Sequence, residues 1–348
     1  MTEPWSRTLS WVRQHLEPGE EILGAERLTG GWTSTMRRIH LQGPGGERTL
    51  VLRSFVRPFY RKHADGLLRR EAGVLRLLDR PDDRPVPAAR LVAVDPAGEH
   101  CDHPSLLMTL LPGSVRLAED SAAARIPLLA GQLVRIHRTA VTAQNRPRAY
   151  QAWTSPESVR VPAATGRPEL WRQAVEAIRQ PAPPFRGCFL HRDFHPGNVL
   201  FTGGNSDAGA GAGEGADTGG GAGAGGSGGR STRDGGSTRG GALRISGVVD
   251  WVETSWGPAE LDLAHCSTAL ALLHGVDTAA ELEKEYRAAG GQLGEHQRYW
   301  RLLDALAFAP DAEKVAVPWR ELGRTDLTSE VLQHRLEHYL ATVLEQYR

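Results

Sequence analysis

Two short stretches of the chain hold the side chains best suited to chemistry. Residues 189–201, FLHRDFHPGNVLF, set His191, Asp193 and Asn198 in the pattern His-x-Asp-x-x-x-x-Asn, with apolar strand-like residues on both sides. Residues 248–265, VVDWVETSWGPAELDLAH, put Asp250 directly after an apolar run. With the Gly-rich stretch between them set aside, Asp250 follows close behind Asn198, and both are oxygen donors at the ends of adjacent strands. That pair suits Mg2+, which takes oxygen ligands and commonly uses one or two protein groups besides phosphates and water. Asp193 is left free of the cation. A carboxylate so placed can accept the proton of a hydroxyl and orient it for in-line attack on a phosphoryl group. Such chemistry rests on positioning and charge stabilisation.

The elements that must hold these residues follow from periodicity. Trp5, Leu9, Val12 and Leu16 give a short amphipathic helix. Strands are expected at 22–29, 35–41 and 47–53, then a helix over Leu67–Leu78, then strands at 90–94 and 105–111. Beyond Pro112-Gly113 the pattern is mostly helical, at 121–139, 168–179, 259–274, 278–289, 295–308 and 328–346. The boundary falls near residue 111, between a small sheet-rich unit and a larger helical one. Short apolar strands at 198–201 and 243–249 flank residues 203–241, of which 18 in 39 are Gly. Such a chain buries too little apolar surface to offset its ordering entropy, so a disordered loop at a hairpin tip is expected. Lengthening a surface loop costs only ~0.6 kcal/mol per doubling.

Composition narrows the classes. Lys+Arg and Asp+Glu are both 41 among 348 residues, so the formal charge is zero and a general nucleic-acid binder is not expected. Cys101, Cys188 and Cys266 form no CxxC pair, which favours a reduced, cytoplasmic setting. No apolar run reaches the roughly 18 residues of a membrane helix, and the N-terminus has no signal-peptide core, so no membrane partner is expected. His191, His195 and Asp193 could be read as a metal cluster, but zinc sites usually add a second Cys/His pair, and none is visible. His137 reads as a structural histidine. Trp153, Trp171, Trp256 and Trp300 read as packing residues.

HRDFHPGN followed by VVDW…GP…DLA resembles the aminoglycoside phosphotransferase-like family of small-molecule kinases, relatives of the protein kinases, over roughly residues 20–345 apart from the insert. The resemblance implies an α+β, protein-kinase-like fold of two lobes. Residues 1–111 would be a nucleotide-binding lobe with a small antiparallel sheet, and 112–348 a mainly helical catalytic and substrate lobe interrupted by 203–241. It implies ATP as co-substrate, Mg2+, and a small-molecule hydroxyl as acceptor. Asp193 matches the catalytic Asp, His191 the histidine that braces its loop, and Asn198 and Asp250 the Mg2+ ligands. Asp262 matches a supporting acid. LTGGWTSTMRR, residues 28–38, resembles the phosphate-covering hairpin, with Gly30 and Gly31 admitting close backbone approach and Ser34 as a donor. Arg53 stands at the strand Lys position of protein kinases, Glu71 is its expected ion-pair partner, and backbone around Thr109–Leu111 would meet the adenine edge.

Departures matter. Arg192 stands where this family often has Gly, and His195 stands where protein kinases usually place Lys. No activation segment follows Asp250, which disfavours a protein kinase. Glu281, Glu283 and Glu285 interleave with Lys284 and Arg287, so no anionic bowl for a polycation is visible. A catalytically silent, kinase-like module that binds nucleotide or a partner is the competing reading. Intact Asp193, Asn198 and Asp250 favour the enzyme.

Overall fold

Alternation of side chains across the third strand organises the first half of the chain. In a strand, successive residues face opposite sides. Leu50 and Leu52 join an outer apolar layer with Trp11, Val12, Ile39 and Leu107, whereas Val51 joins an inner layer with Leu68, Ala72, Leu75 and Met108. Arg53 continues the inner series and so faces the helix that carries Glu71. The computed structural model describes residues 5–28, 33–79, 85–119, 122–204 and 241–347. Gly30, Gly31 and residues 205–240 of the insert, including its expected disorder, lie outside the described residues.

The strands are β1 Glu21–Leu28, β2 Thr35–Gly43, β3 Gly46–Ser54, β4 Leu91–Asp95 and β5 Ser105–Thr109, in the order β1-β2-β3-β5-β4 with antiparallel pairing throughout. Helix α1 Ser6–Gln14 contributes Trp11 and Val12 to the outer layer. The short α2 Pro58–Arg61 leads into α3 Ala64–Leu78, which lies against the inner face.

After a short strand β6 Ser114–Val115, the chain runs through α4 Ala122–His137 and α5 Pro168–Ala177. Four short strands then frame the reactive stretches: β7 Gly187–Leu190, β8 Val199–Thr202, β9 Arg244–Val248 and β10 Ser255–Pro258. β7 pairs with β10 and β8 with β9, so the 191–198 loop and the 249–254 segment are each held at both ends. Helices α6 Ala259–His274, α7 Val276–Ala288, α8 Gln297–Leu306, α9 Glu313–Glu321 and α10 Ser329–Gln346 complete the chain. Every residue of α6 from Ala259 to Leu273 is buried, which marks it as the central helix of this half.

The fifth strand stops at Thr109 rather than reaching residue 111, because Leu110 onward leaves the sheet toward Pro112. Helix α9 was not expected from the sequence. Pro318 sits inside it and breaks the pattern that periodicity relies on.

Leu75 is fully enclosed between α3 and the sheet. Leu75→Ala should therefore cost about 2–5 kcal/mol of stability, read as a lower urea midpoint with an unchanged slope.

Candidate active site

A buried carboxylate shapes the loop that carries Asp193. Asp262, in the first turn of α6, accepts hydrogen bonds from two consecutive amides, His191 N to Oδ2 at 2.8 Å and Arg192 N to Oδ1 at 2.7 Å. Arg192 is thereby held at φ +77°, the left-handed region that glycine adopts without strain. Here the arginine's guanidinium lies 3.9 Å over the ring of Trp153 and 3.7 Å from Asp304 Oδ1. Burial would raise the Asp262 pKa, but His137 at 3.3 Å, the nearby His191 and the amides outweigh it and hold the carboxyl below its usual range.

His191 is fully buried and hydrogen-bonded on both ring nitrogens. Its Nδ1 accepts from the Asp193 amide at 3.2 Å. Nε2 therefore carries the proton and donates to the Val249 carbonyl at 3.0 Å, tying the loop to the residue before Asp250. Burial lowers its pKa and keeps the ring neutral.

Asn198 donates its amide nitrogen to the Asp193 carbonyl at 2.9 Å and to Asp193 Oδ2 at 3.1 Å. Its side-chain oxygen is left as the atom able to ligate a cation. Asp250, at φ +67°, accepts from Arg53 Nη2 on Oδ1 at 2.8 Å. Arg53 Nη1 donates to both oxygens of Glu71 at 2.7 and 2.8 Å, and its Nε donates to Ser34 Oγ at 3.0 Å. The expected Arg53–Glu71 pair is therefore formed, and the same guanidinium reaches across to Asp250. Burial works against the Arg53 charge, yet Asp250 and Glu71 outweigh it and raise the pKa further. Ser34 Oγ accepts from this guanidinium, and its own hydrogen is turned toward Met36 Sδ at 3.7 Å, a weak acceptor.

Arg53, Glu71, Asp193, Asn198 and Asp250 all line one cleft of about 660 Å³. Leu28, Met36, Val51, Met108 and Val248 form an apolar wall of it. Leu111 lines it as well. Thr109 also lines it; its amide donates to the Arg90 carbonyl at 2.9 Å and its hydroxyl accepts from the Arg90 amide, so the Thr109 N–H is already committed. A larger cavity of about 930 Å³, lined by His137, Tyr286 and Glu260, reaches none of Asp193, Asn198 or Asp250.

Asp193 has a neighbour that the sequence reading did not single out. His265 Nε2 lies 3.0 Å from Asp193 Oδ1, and its Nδ1 lies 3.1 Å from Asp304 Oδ1. Burial would raise the Asp193 pKa, but the hydrogen bond from His265 and the surrounding imidazoles drive it well below the carboxylate range. The signal that could have found His265 is its place three residues after Asp262 on one helix, where i and i+3 share a face. Asp304 had no such signal, because it arrives through the packing of α8 on α6.

Asp193, His195 and His265 bring ligand-type atoms within 4.8 Å of one another. Zinc is nonetheless a poor fit. His195 Nδ1 accepts from the Gly197 amide at 3.0 Å, so its Nε2 bears the proton in the neutral ring, and His265 hydrogen-bonds Asp193 directly. Burial takes the His195 pKa down to about 4, so the ring is neutral at pH 7.

A two-lobed arrangement with such a cleft is that of the protein-kinase-like phosphotransferases. The profile described as "Phosphotransferase enzyme family" matches residues 24–209, and the chain belongs to that family. Among solved structures, aminoglycoside phosphotransferase APH(4)-Ia is 14% identical with a TM-score of 0.56, covering 97% of this chain and 98% of its own. A thermostable mutant of that enzyme, solved as a ternary complex with ADP and hygromycin B, is 14% identical with a TM-score of 0.53, covering 92% and 95%. A choline/ethanolamine kinase family protein from Mesorhizobium loti is 14% identical with a TM-score of 0.50, covering 93% and 88%. No curated protein sequence matches. The fold is that of these kinases. The chain is therefore a member of a phosphotransferase family. Among the described residues, no helix is long and apolar enough to cross a membrane.

Removing Asp262 leaves two buried amides unpaired, each costing about 1–3 kcal/mol. Asp262→Ala should lower stability accordingly and reduce phosphoryl transfer with it. Because the folded pKa of Asp262 is depressed, its contribution is present above the ordinary Asp pKa of 3.8 and is lost as pH falls below it. Denaturation midpoints of wild type and Asp262→Asn should therefore converge on acidification.

Proposed function

We propose that the chain is an ATP- and Mg2+-dependent kinase that moves the γ-phosphoryl group of ATP to a hydroxyl of a small molecule. The observation that carries this reading is the cleft shared by Asp193, Asn198 and Asp250, with Asp193 oriented from both sides. Residues 1–111 act as the nucleotide-binding lobe and 112–348 as the catalytic and acceptor lobe.

The acceptor hydroxyl donates to the Asp193 carboxylate, which aims its oxygen at the γ-phosphorus. The new oxygen–phosphorus bond forms as the bond to the bridging oxygen of ADP breaks, and the hydroxyl proton passes to Asp193. With its pKa held low, Asp193 is a weak base. It works first as an orienting acceptor and takes the proton late, in keeping with a loose transition state.

The Asn198 side-chain oxygen and the Asp250 carboxylate fit a hard divalent cation, since both are oxygen donors and the Asn198 nitrogen is already committed to Asp193. Such a cation supplies charge neutralisation across the phosphates. Arg53 places a second positive charge at the same end of the cleft, anchored by Glu71. The apolar wall receives the base, with the Leu111 backbone at the hinge. Three free cysteines agree with a reducing, cytoplasmic setting.

The acceptor end is walled by Lys314, Val315, Pro318 and Trp319 of α9. Among the described residues, the carboxylates lining the cleft are Glu71, Asp193 and Asp250, all assigned to the reaction itself. A neutral or weakly charged alcohol with apolar surface suits this wall better than a polycation, which would need spare carboxylates.

Asp193→Ala should keep MgATP binding and lose transfer by on the order of 10²–10⁴-fold. Asp250→Ala should lose the Mg2+-dependent part of nucleotide binding. An ATP-consumption screen over aminoglycosides, macrolides, amino alcohols, sugars and amino acids identifies the acceptor. Turnover with weakly charged alcohols is expected. Tight nucleotide binding with no turnover anywhere would establish the silent module instead.

A further inference from the structure

We propose that His265 and Asp304 are positioning residues for phosphoryl transfer, acting through a buried Asp304–His265–Asp193 bridge that locks the orientation of the Asp193 carboxylate. This rests on the kinase reading above. The bridge is linear in its chemistry: each imidazole nitrogen faces one carboxylate oxygen, at 3.1 Å for Nδ1 to Asp304 and 3.0 Å for Nε2 to Asp193. Only a ring protonated on both nitrogens donates to both. The ring therefore stands between the carboxylates as an imidazolium.

Its surroundings are built to hold it there. His265 and Asp304 are 3% and 1% exposed. Thr268 donates to Asp304 Oδ2 at 2.9 Å, fixing the far carboxylate. Phe308 stacks on the ring at 5.5 Å and 27°, and Trp153 meets it edge-on at 5.0 Å. Among the described residues, the other charged or titratable groups facing this cluster include Arg192, 3.7 Å from Asp304, His195, whose ring lies 5.8 Å from His265, and Lys314, which sits over Phe308, with His191 and Glu253 acting on Asp193 and Tyr339 and Cys266 on Asp304. His195 is neutral at pH 7. Burial alone would deprotonate His265, but Asp304 and Asp193 outweigh it and push its pKa up to about 9.

Two consequences follow for the reaction. Oδ1 of Asp193 is committed to the ring and Oδ2 takes the Asn198 amide, so the carboxylate plane is set before substrate arrives and little ordering remains for the transition state. The positive ring also offsets the Asp193 charge that an incoming polyphosphate would otherwise face.

The direct test is nitrogen NMR of the 15N-histidine-labelled full chain, with the His265 signal assigned by its loss in His265→Gln. Wild type should show an imidazolium with both nitrogens protonated at neutral pH, losing a proton only near pH 9, and Asp304→Asn should move that titration downward. MgATP alone, with water as the acceptor, supplies the rate. His265→Gln and Asp304→Asn should keep the MgATP Kd within about twofold while hydrolysis falls by about tenfold or more, and the alkaline limb of the rate should shift to lower pH in Asp304→Asn. A neutral, singly protonated His265 at neutral pH would overturn the proposal. So would unchanged hydrolysis and pH profile in both variants. Absence of MgATP binding by wild type would instead sink the kinase reading, and the NMR titration would still decide whether the bridge exists.

Discussion

The geometry of the reactive loop depends on the two hydrogen bonds that Asp262 accepts from consecutive amides, His191 and Arg192. A turn at φ +77° in a non-glycine residue costs about 1–3 kcal/mol and persists only where its surroundings over-determine it. Asp262 does so from the start of a helix that is itself buried on every side. From that fixed turn, His191 reaches back to Val249 and Asn198 reaches back to Asp193. The strands β8 and β9 then carry Asn198 and Asp250 to the same end of one ladder. One buried carboxylate thus sets the frame in which Asp193, Asn198 and Asp250 share a cleft.

The second node is Arg53. A lysine would present a single compact charge, whereas the guanidinium fork serves four acceptor atoms at once: two on Glu71, one on Ser34 and one on Asp250. It links the inner face of the first sheet, through α3, to the segment after β9. With Arg53 4% and Glu71 1% exposed, the pair is nearly dry, so losing either partner strands a buried charge. Holding the cleft's two sides together is therefore built into the same residue that lines the cleft with positive charge.

The sheet and most helices were legible because their residues obey simple periods. Leu50, Leu52 and Val51, Arg53 sort onto opposite faces by alternation alone. The Leu67–Leu78 helix pattern appears as α3 with Glu71 on its inner side. The loop residues were legible for another reason: Asp193 and Asn198 lie five positions apart in the chain, and Asp250 follows an apolar strand. What escaped was made by tertiary packing. Helix α9 hides behind Pro318, and the Asp304–His265–Asp193 bridge joins residues on three separate elements. Tertiary contacts also add that the Thr109 amide donates to the Arg90 carbonyl and that the Ser34 hydroxyl accepts from Arg53.

The central claim is that Asn198 and Asp250 grip a divalent cation while Asp193 stays off the metal and faces the acceptor. A crystal structure of the full chain with MgADP tests this most directly. The account predicts Mg2+ at about 2.0–2.1 Å from the Asn198 oxygen and an Asp250 oxygen, with Asp193 still held by His265 and unligated. A cation bound instead among Asp193, His195 and His265, or an Asn198 oxygen turned away from the nucleotide, would contradict it.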